Sequence, residues 1–339
     1  HYCGPCSRGC RTGSYYSSPS SSLPAAEATG RLTLIPNAVV SHVEVDDAGK
    51  CRSVYYVDRI TRQHREVFGS AVVLCASTLE STRIMLNSTS DQHPTGIANS
   101  SGVLGHYLMD HVMGGGAAGV LPVLKNTPDT RGKRPNGIYI PRFRNINDRH
   151  SEFLRGYGYQ GNASVVKWGH AMSVEGFGES FKNEVKNNRP WTISIGGFGE
   201  HLPQYDNFCE LDKVHTDAWG IPILHISAAY GDNEQKMIDD MADAAEEMLH
   251  AAGAEDIEVR RDISVPGLAI HEVGTARMGD DPASSVLNTW EQAHDVSNLF
   301  VMDGSGYPSS ACQNPTITFM ALATRACEYL VEEFKAARL

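Results

Sequence analysis

The sequence predicts an α/β fold in two sequence pieces, with a β-rich insertion between them. Three observations carry this reading. The apolar run "SAVVLCAS" leads through small residues into the helical pattern "TLESTRIMLNS". Near the C-terminus, "SNLFVMDGSGYPSS" again reads as a buried strand, ahead of a long helix that opens at "NPTITF". Between about Asp110 and Val265 the chain changes to short aromatic and β-branched runs separated by turns. Strand, small-residue turn and helix form the unit in which α/β folds meet cofactors. Short strands at turn spacing indicate a largely antiparallel sheet.

In chain order, residues 15–29, "YYSSPSSSLPAAEAT", read as loop entering a short helix. "RLTLIPNAVVSHVEVDD" alternates apolar and polar residues and reads as a strand pair broken at Pro36. "CRSVYYVDRITRQHREVFG" reads as a hairpin, and "SAVVLCAS" as a strand of the buried kind. In the following helix, Leu79, Ile84, Met85 and Leu86 supply the apolar positions. Within the insertion, "GGGAAGVLPVL", "NGIYIPRF", "GYGYQGNASVVKW" and "RPWTISIGGFGE" are strand candidates. "NEQKMIDDMADAAEEMLHAAG" is a helix, with Met237, Met241, Ala244 and Met248 at helical spacing on a face that reads as core. In the C-terminal helix Pro315 falls in the first turn, where its missing N–H does no harm.

With 339 residues the chain is long enough for two domains, or for one with an insertion. Hydrophobic content of 41% and charged content of 20% fit a globular protein with a sizeable core. A net charge of −11 disfavours nucleic acid and anionic membranes as partners. No apolar run approaches the length of a spanning helix. The sequence opens on His1, inside "HYCGPCSRGC", and reads as a piece of something longer.

Of eight cysteines, Cys3, Cys6 and Cys10 crowd together at the start. Their spacing fits a metal or iron–sulfur cluster, or part of a disulfide pattern. Cys75 and Cys327 lie in apolar surroundings, where a buried free thiol is expected. "GYGYQG", Gly156 to Gly161, is a literal G-x-G-x-x-G, but the strand-like "NASVVKW" follows it where a nucleotide site needs a helix. Two features carry chemistry. "HEVGTARMG" sets His271 beside the flexible backbone of Gly274, with Thr275 and Arg277 read as structural. "QNPT" places the Asn314 amide at a helix start, where free N–H groups and a partial positive charge attract anions and electron-rich rings. Read alone, Asn314 is simply the N-cap of that helix, with Pro315 at its first position.

Together, "HEVGTARMG", "NLFVMDGSGYPSS" and "NPTITFMALATRACEYL" resemble the C-terminal signature of the glucose–methanol–choline (GMC) family of flavin oxidoreductases. "GVLGHYLMDH", "VVLCASTLESTRIMLNS" and "DAWGIPILHI" are similar to further family segments, in family order. The resemblance implies an FAD-binding domain of the glutathione-reductase type, here 1–109 and 266–339, and a sheet-based substrate domain, 110–265. It implies alcohol oxidation with His271 as base and Asn314 as hydrogen-bonding partner on the same oxygen, with hydride passing to the flavin. An ordinary histidine titrates at about 6.5 and can accept a proton near neutrality, and an asparagine donates to a developing alkoxide.

For the cofactor, the resemblance places the backbone of Val40 against adenine and Asp303 and Gly304 along the ribityl and phosphate side. Asn314, Pro315 and Thr316 face the flavin's pyrimidine edge. The turn before the "TLESTRIMLNS" helix carries Ala76-Ser77 where the resemblance implies Ala-Gly at a glycine-only backbone angle. The family's N-terminal strand–GxGxxG–helix is expected to be missing from this chain. "CGPCSRGCRTGSYYSS" resembles a segment of sugar dehydrogenases that pair with a small subunit and a cytochrome, some with a three-iron cluster, and its first gap is shorter. The resemblance thus implies sugar or glycoside oxidation, with electrons passed to a carrier and a periplasmic or exported location. Tyr157, Tyr159 and Trp168 are candidate sugar-stacking aromatics, with core packing as the alternative. Two other readings stand beside it: an oxygen-using oxidase, and a flavin-less binding or scaffold remnant.

Overall fold

The computed structural model describes residues 10, 12–125, 127–128, 137–166 and 168–339, with the backbone alone at Trp168. It is a mixed α/β fold. The chain divides into two compact units, each assembled from separated stretches.

The larger unit holds Ile35–Val112, Gly199–Glu234 and Ser264–Leu339. Its first sheet is the meander β1 (Ala38–Val45), β2 (Cys51–Asp58) and β3 (His64–Phe68), antiparallel in that order. The β1–β2 turn is set by Asp46, whose Oδ1 accepts from Ala48 and Lys50 N–H, with Gly49 at φ +76°. Asp58 does the same for the β2–β3 turn through Ile60 and Thr61. The hairpin is as expected, but the strand expected before Pro36 does not form. Pro36 has no N–H to give a ladder, Asn37 turns at φ +58°, and pairing starts at Ala38 opposite Asp58.

The α/β unit expected from "SAVVLCAS" is present. β4 (Val72–Leu74) runs parallel to β12 (Leu299–Val301) and leads into α2 (Thr78–Asn87). Leu299, Phe300 and Val301 are all fully buried, whereas Val73 is 42% exposed, so β4 is buried on one face only. Ile84 and Met85 of α2 join Val43, Leu74, Leu104 and Val286 in one core cluster. α5 (Thr316–Lys335) packs through Ala326, Tyr329 and Leu330 against Phe300 and Met302. The hairpin β9 (Phe208–Thr216) and β10 (Pro222–Ser227) also belongs to this unit, tied down by Arg83 of α2. The buried Arg83 guanidinium donates to Asp217 Oδ2 at 2.7 Å and to the carbonyls of Ile221 and Pro222.

The other unit gathers the N-terminal segment up to Leu34, Met113–Phe198 and Gln235–Ile263. Ser18–Ser20 form a turn of 3-10 helix ahead of α1 (Ser22–Ala28), the expected short helix. The main sheet has the order β11-β5-β8-β7-β6, built from β5 (His111–Val120), β6 (Ile138–Ile140), β7 (Tyr157–Val165), β8 (Trp191–Glu200) and β11 (Glu255–Arg261). β11 with β5 and β6 with β7 pair antiparallel. A short helix α3 (Gly178–Asn187) precedes β8. α4 (Asp232–Ala251) lies directly on β5: a Cβ at Gly115 would come within 2.7 Å of Met241 Cβ and 2.8 Å of the Ile238 carbonyl. The buried face of α4 is Met237, Ile238, Met241, Ala242, Ala244, Ala245 and Leu249, with Met248 only part-buried at its edge. "GYGYQG" lies on β7, a strand, so it has no helix N-terminus to offer a phosphate.

The units meet along the chain at 112/113 and 263/264. Residues 199–234, however, fold with the α/β unit, and the N-terminal segment with the sheet.

Candidate active site

Three distant stretches of the α/β unit are stitched side by side. Met109 and Val273 exchange backbone hydrogen bonds at 2.9 Å each way, and Gly105 N–H donates to the Thr275 carbonyl at 2.7 Å. On the other flank Gly274 N–H donates to the Gly304 carbonyl and Ala276 N–H to the Ser305 carbonyl. Glycine is required at 274: its φ is +109°, and a Cβ would lie 2.1 Å from the Tyr107 carbonyl oxygen. The glycine turn thus serves close backbone packing. Thr275 and Arg277 are structural, as expected: Thr275 is fully buried with its hydroxyl bonded to that of Thr82, and the Arg277 guanidinium lies 4.5 Å from the Tyr107 ring centre.

This stitching opens a cavity of about 510 Å³ whose walls include His111, His271, Val273, Tyr307, Ser310 and Asn314. His271 and Asn314 therefore meet at one site. His271 Nδ1 is buried and has no hydrogen-bond partner among the described residues. Asn314 stands one place further from α5 than its capping reading requires. The helix begins at Thr316, Pro315 occupies the cap position instead of the first turn, and no side chain caps it. The α5 N-terminus, with its partial positive charge, opens beside the cavity through Pro315, Ile317 and Thr318.

No role is read for His111 in the sequence, although it ends the segment "GVLGHYLMDH". Its ring meets the His271 ring edge to face, centres 4.9 Å apart at 89°. It is 3% exposed. Burial, and next the neighbouring His271, push its pKa below the usual histidine value. Tyr230 Oη donates to its carbonyl at 2.8 Å. No sequence pattern marks a histidine at a strand start as a pocket residue; only the long-range pairing of residues 109 and 273 brings it there.

The expected cofactor residues are more dispersed. Ala76 and Ser77 are exposed in the turn between β4 and α2, where Ser77 adopts φ 74°, ψ 160°. Asp303 is buried, and its carboxylate is taken up within the chain by Ser81 Oγ at 2.5 Å, Ser305 N–H at 3.0 Å and Ser305 Oγ at 2.6 Å. Gly304 is pressed against α2, since a Cβ there would sit 2.6 Å from Thr78 Oγ1 and 2.9 Å from the Glu272 carbonyl. Val40 lies on β1, part-buried against the core, and does not line the cavity. The uncapped N-terminus of α5 at the cavity fits the electron-rich edge of a flavin ring.

Other expectations need correction. Tyr157 and Tyr159 are fully buried, with their hydroxyls engaged by the Asp240 carboxylate and the Met241 carbonyl, so they are core residues and not sugar platforms. The Trp168 side chain lies outside the described residues. Cys75 and Cys327 are exposed, Cys75 because it stands just past the end of β4; Cys51, Cys209 and Cys312 are the buried thiols. Cys3 and Cys6 lie outside the described residues. Cys10 is a free thiol, lowered to about 7 by hydrogen bonds from Thr12. Among the described residues no group of three or more His, Cys, Asp or Glu side chains could hold a metal ion, and no helix is long and apolar enough to cross a membrane.

The family descriptions that match are those of the N-terminal and C-terminal GMC oxidoreductase regions, over residues 1–113 and 203–323. A 2-methyl-1,2-propanediol dehydrogenase of Mycolicibacterium austroafricanum is 31% identical over 334 residues, covering 96% of this chain and 59% of the relative. The fructose dehydrogenase large subunit of Gluconobacter japonicus is 27% identical over 328 residues, covering 96% and 58%. The chain thus spans somewhat under three-fifths of the length of these relatives. Formate oxidase from Aspergillus oryzae, a structure described for its FAD modification, superposes with a TM-score of 0.63 at 13% identity over 90% of this chain and 61% of that one, a likeness of fold. The chain belongs to the GMC oxidoreductase family.

Proposed function

We propose that this chain supplies the catalytic pocket of an FAD-dependent oxidoreductase acting on a CH–OH group of a sugar or glycoside. One observation carries the reading: His271 and Asn314 line the same cavity, and His271 keeps a buried ring nitrogen without a partner. Bound at this site, FAD supplies the hydride acceptor. An imidazole with an open ring nitrogen takes the hydroxyl proton. The Asn314 amide donates to the same oxygen and steadies charge as it develops there. Pro315 and Thr316, at the uncapped end of α5, would hold the electron-rich edge of the flavin, with the Ala76-Ser77 turn, Gly304 and Val40 toward its other parts. On this reading the unit holding these residues is the cofactor side, and the β11-β5-β8-β7-β6 sheet belongs to the substrate side.

Electrons then pass to a protein carrier. Support comes from the fructose dehydrogenase relative, which is named as a large subunit. A small subunit and a cytochrome are the corresponding partners.

The test is a visible spectrum of the purified full-length protein before and after a sugar is added. The flavin band should bleach, without steady peroxide formation. Peroxide would replace the carrier with oxygen, and a colourless protein would sink the proposal. Replacing His271 with Ala should lower the bleaching rate by about 10²–10⁴-fold, and Asn314→Ala by about 10²-fold, with flavin content retained in both.

A further inference from the structure

Asp110 lies outside the walls of the large cavity, yet it holds both of its histidines. The residue is 3% exposed. Its Oδ1 accepts from the backbone N–H of His111 at 2.7 Å and of His271 at 3.1 Å, and its Oδ2 from Ala269 N–H at 3.0 Å. Among the described residues no lysine or arginine pairs with it, so these amides are what stabilise the buried charge. One carboxylate oxygen therefore bridges the backbones of the two residues whose rings meet at 4.9 Å.

The stretch it grips is strained. Ile270, between two clamped residues, has φ +58°, and the residue is 76% exposed. A β-branched residue in the left-handed region is held there only by its surroundings. Its own side chain is out in solvent, and the amides on either side both end on Asp110. The carboxylate thus fixes where the 269–271 backbone runs and, through it, where the His271 ring stands.

We infer that Asp110 is a positioning residue for alcohol oxidation: it clamps residues 269–271 to the start of β5 so that the His271 ring faces the cavity against His111. The inference rests on the reading of His271 as the base. Among the groups acting on His111 are Asp110, His271, the Tyr230 hydroxyl on its carbonyl, and the backbones of Gly199 and Ala311. Of the two charged neighbours, Asp110 favours protonated His111 and His271 opposes it.

The test compares wild type, Asp110→Asn and Asp110→Ala in the flavin-loaded enzyme. Asn keeps one acceptor oxygen but turns an NH₂ toward one amide. Its kcat should fall about 10–100-fold, the scale of an ångström-level misplacement, while KM for the sugar stays within about twofold. Ala removes every acceptor and should lower the melting temperature further than Asn does. The second readout needs no turnover: NMR titration of ¹⁵N-histidine-labelled protein, in which the His111 midpoint should move to lower pH in Asp110→Asn. An Asn variant of an active enzyme with wild-type kcat and an unmoved His111 titration overturns the positioning role alone. A wild type that oxidises no alcohol removes the oxidation reading and the positioning role together. A lower melting temperature with unchanged kcat in both variants would make Asp110 a fold residue and overturn the inference.

Discussion

Ser77 sits at φ 74°, ψ 160°, a region that is essentially reserved for glycine. The serine keeps the turn at a cost. Its side chain makes no cap for α2 and is exposed, so nothing evident offsets the strain. Ser77→Gly should therefore stabilise the chain by about 1 kcal/mol, the lower end of the strain expected for such a residue, as read from urea unfolding midpoints. A destabilised variant would show that serine contacts outweigh the backbone angle. This position was legible in the sequence because the motif names the residue that the angle demands. The motifs also single out His271 and Asn314, and these share one cavity. Asp110 and His111 were not legible: a carboxylate that bonds amides 159 and 161 residues away leaves no local signal.

Elements repeat the lesson with a different cause. β4, α2, β12 and α5 were readable because each carries its own period and its own breaker. The strand expected before Pro36 shows that alternation alone is insufficient, since a strand also needs a partner and an N–H to reach it. The triple glycine of β5 lies in a stretch that reads in sequence only as a strand candidate. In the structure it is a docking groove, and Met241 of α4 fills the space that a side chain at Gly115 would take. Gly115→Val should push α4 off the sheet and cost about 1–3 kcal/mol by overpacking, with loss of near-ultraviolet signal from Tyr157 and Tyr159 beneath it. The same substitution at Gly196, where a Cβ would meet nothing within 4 Å, is the matching control.

For the whole molecule, buried titratable groups set an opposed pH response. His42, His111 and His201 have folded pKa values below the usual histidine value, chiefly through burial. Their unfolded forms bind protons first, so their contribution is present above about 6.5 and is lost as pH falls through the folded values. Glu291 runs the other way. It is 1% exposed, and burial raises its carboxyl to about 7. Stability is then greatest while it is protonated and falls as pH rises from about 4.3 through 7. Glu291→Gln should accordingly stabilise the chain at pH 8, by on the order of 1–3 kcal/mol, with the gain shrinking toward pH 5. Melting temperatures of both proteins across that range check it, and a gain independent of pH would exclude Glu291 as the titrating group.

The parallel pair has a last consequence, for synthesis. Among the described residues β4 finds its strand partner only in β12, more than two hundred residues downstream. At about 5–20 residues per second on the ribosome, Val72–Leu74 waits on the order of tens of seconds with a bare edge. The cavity shared by His271 and Asn314 waits with it, because Asn314 is made later still. A chain interrupted anywhere before Leu299 carries that edge unpaired, which makes stalled or truncated products the species most prone to aggregate and most dependent on chaperones.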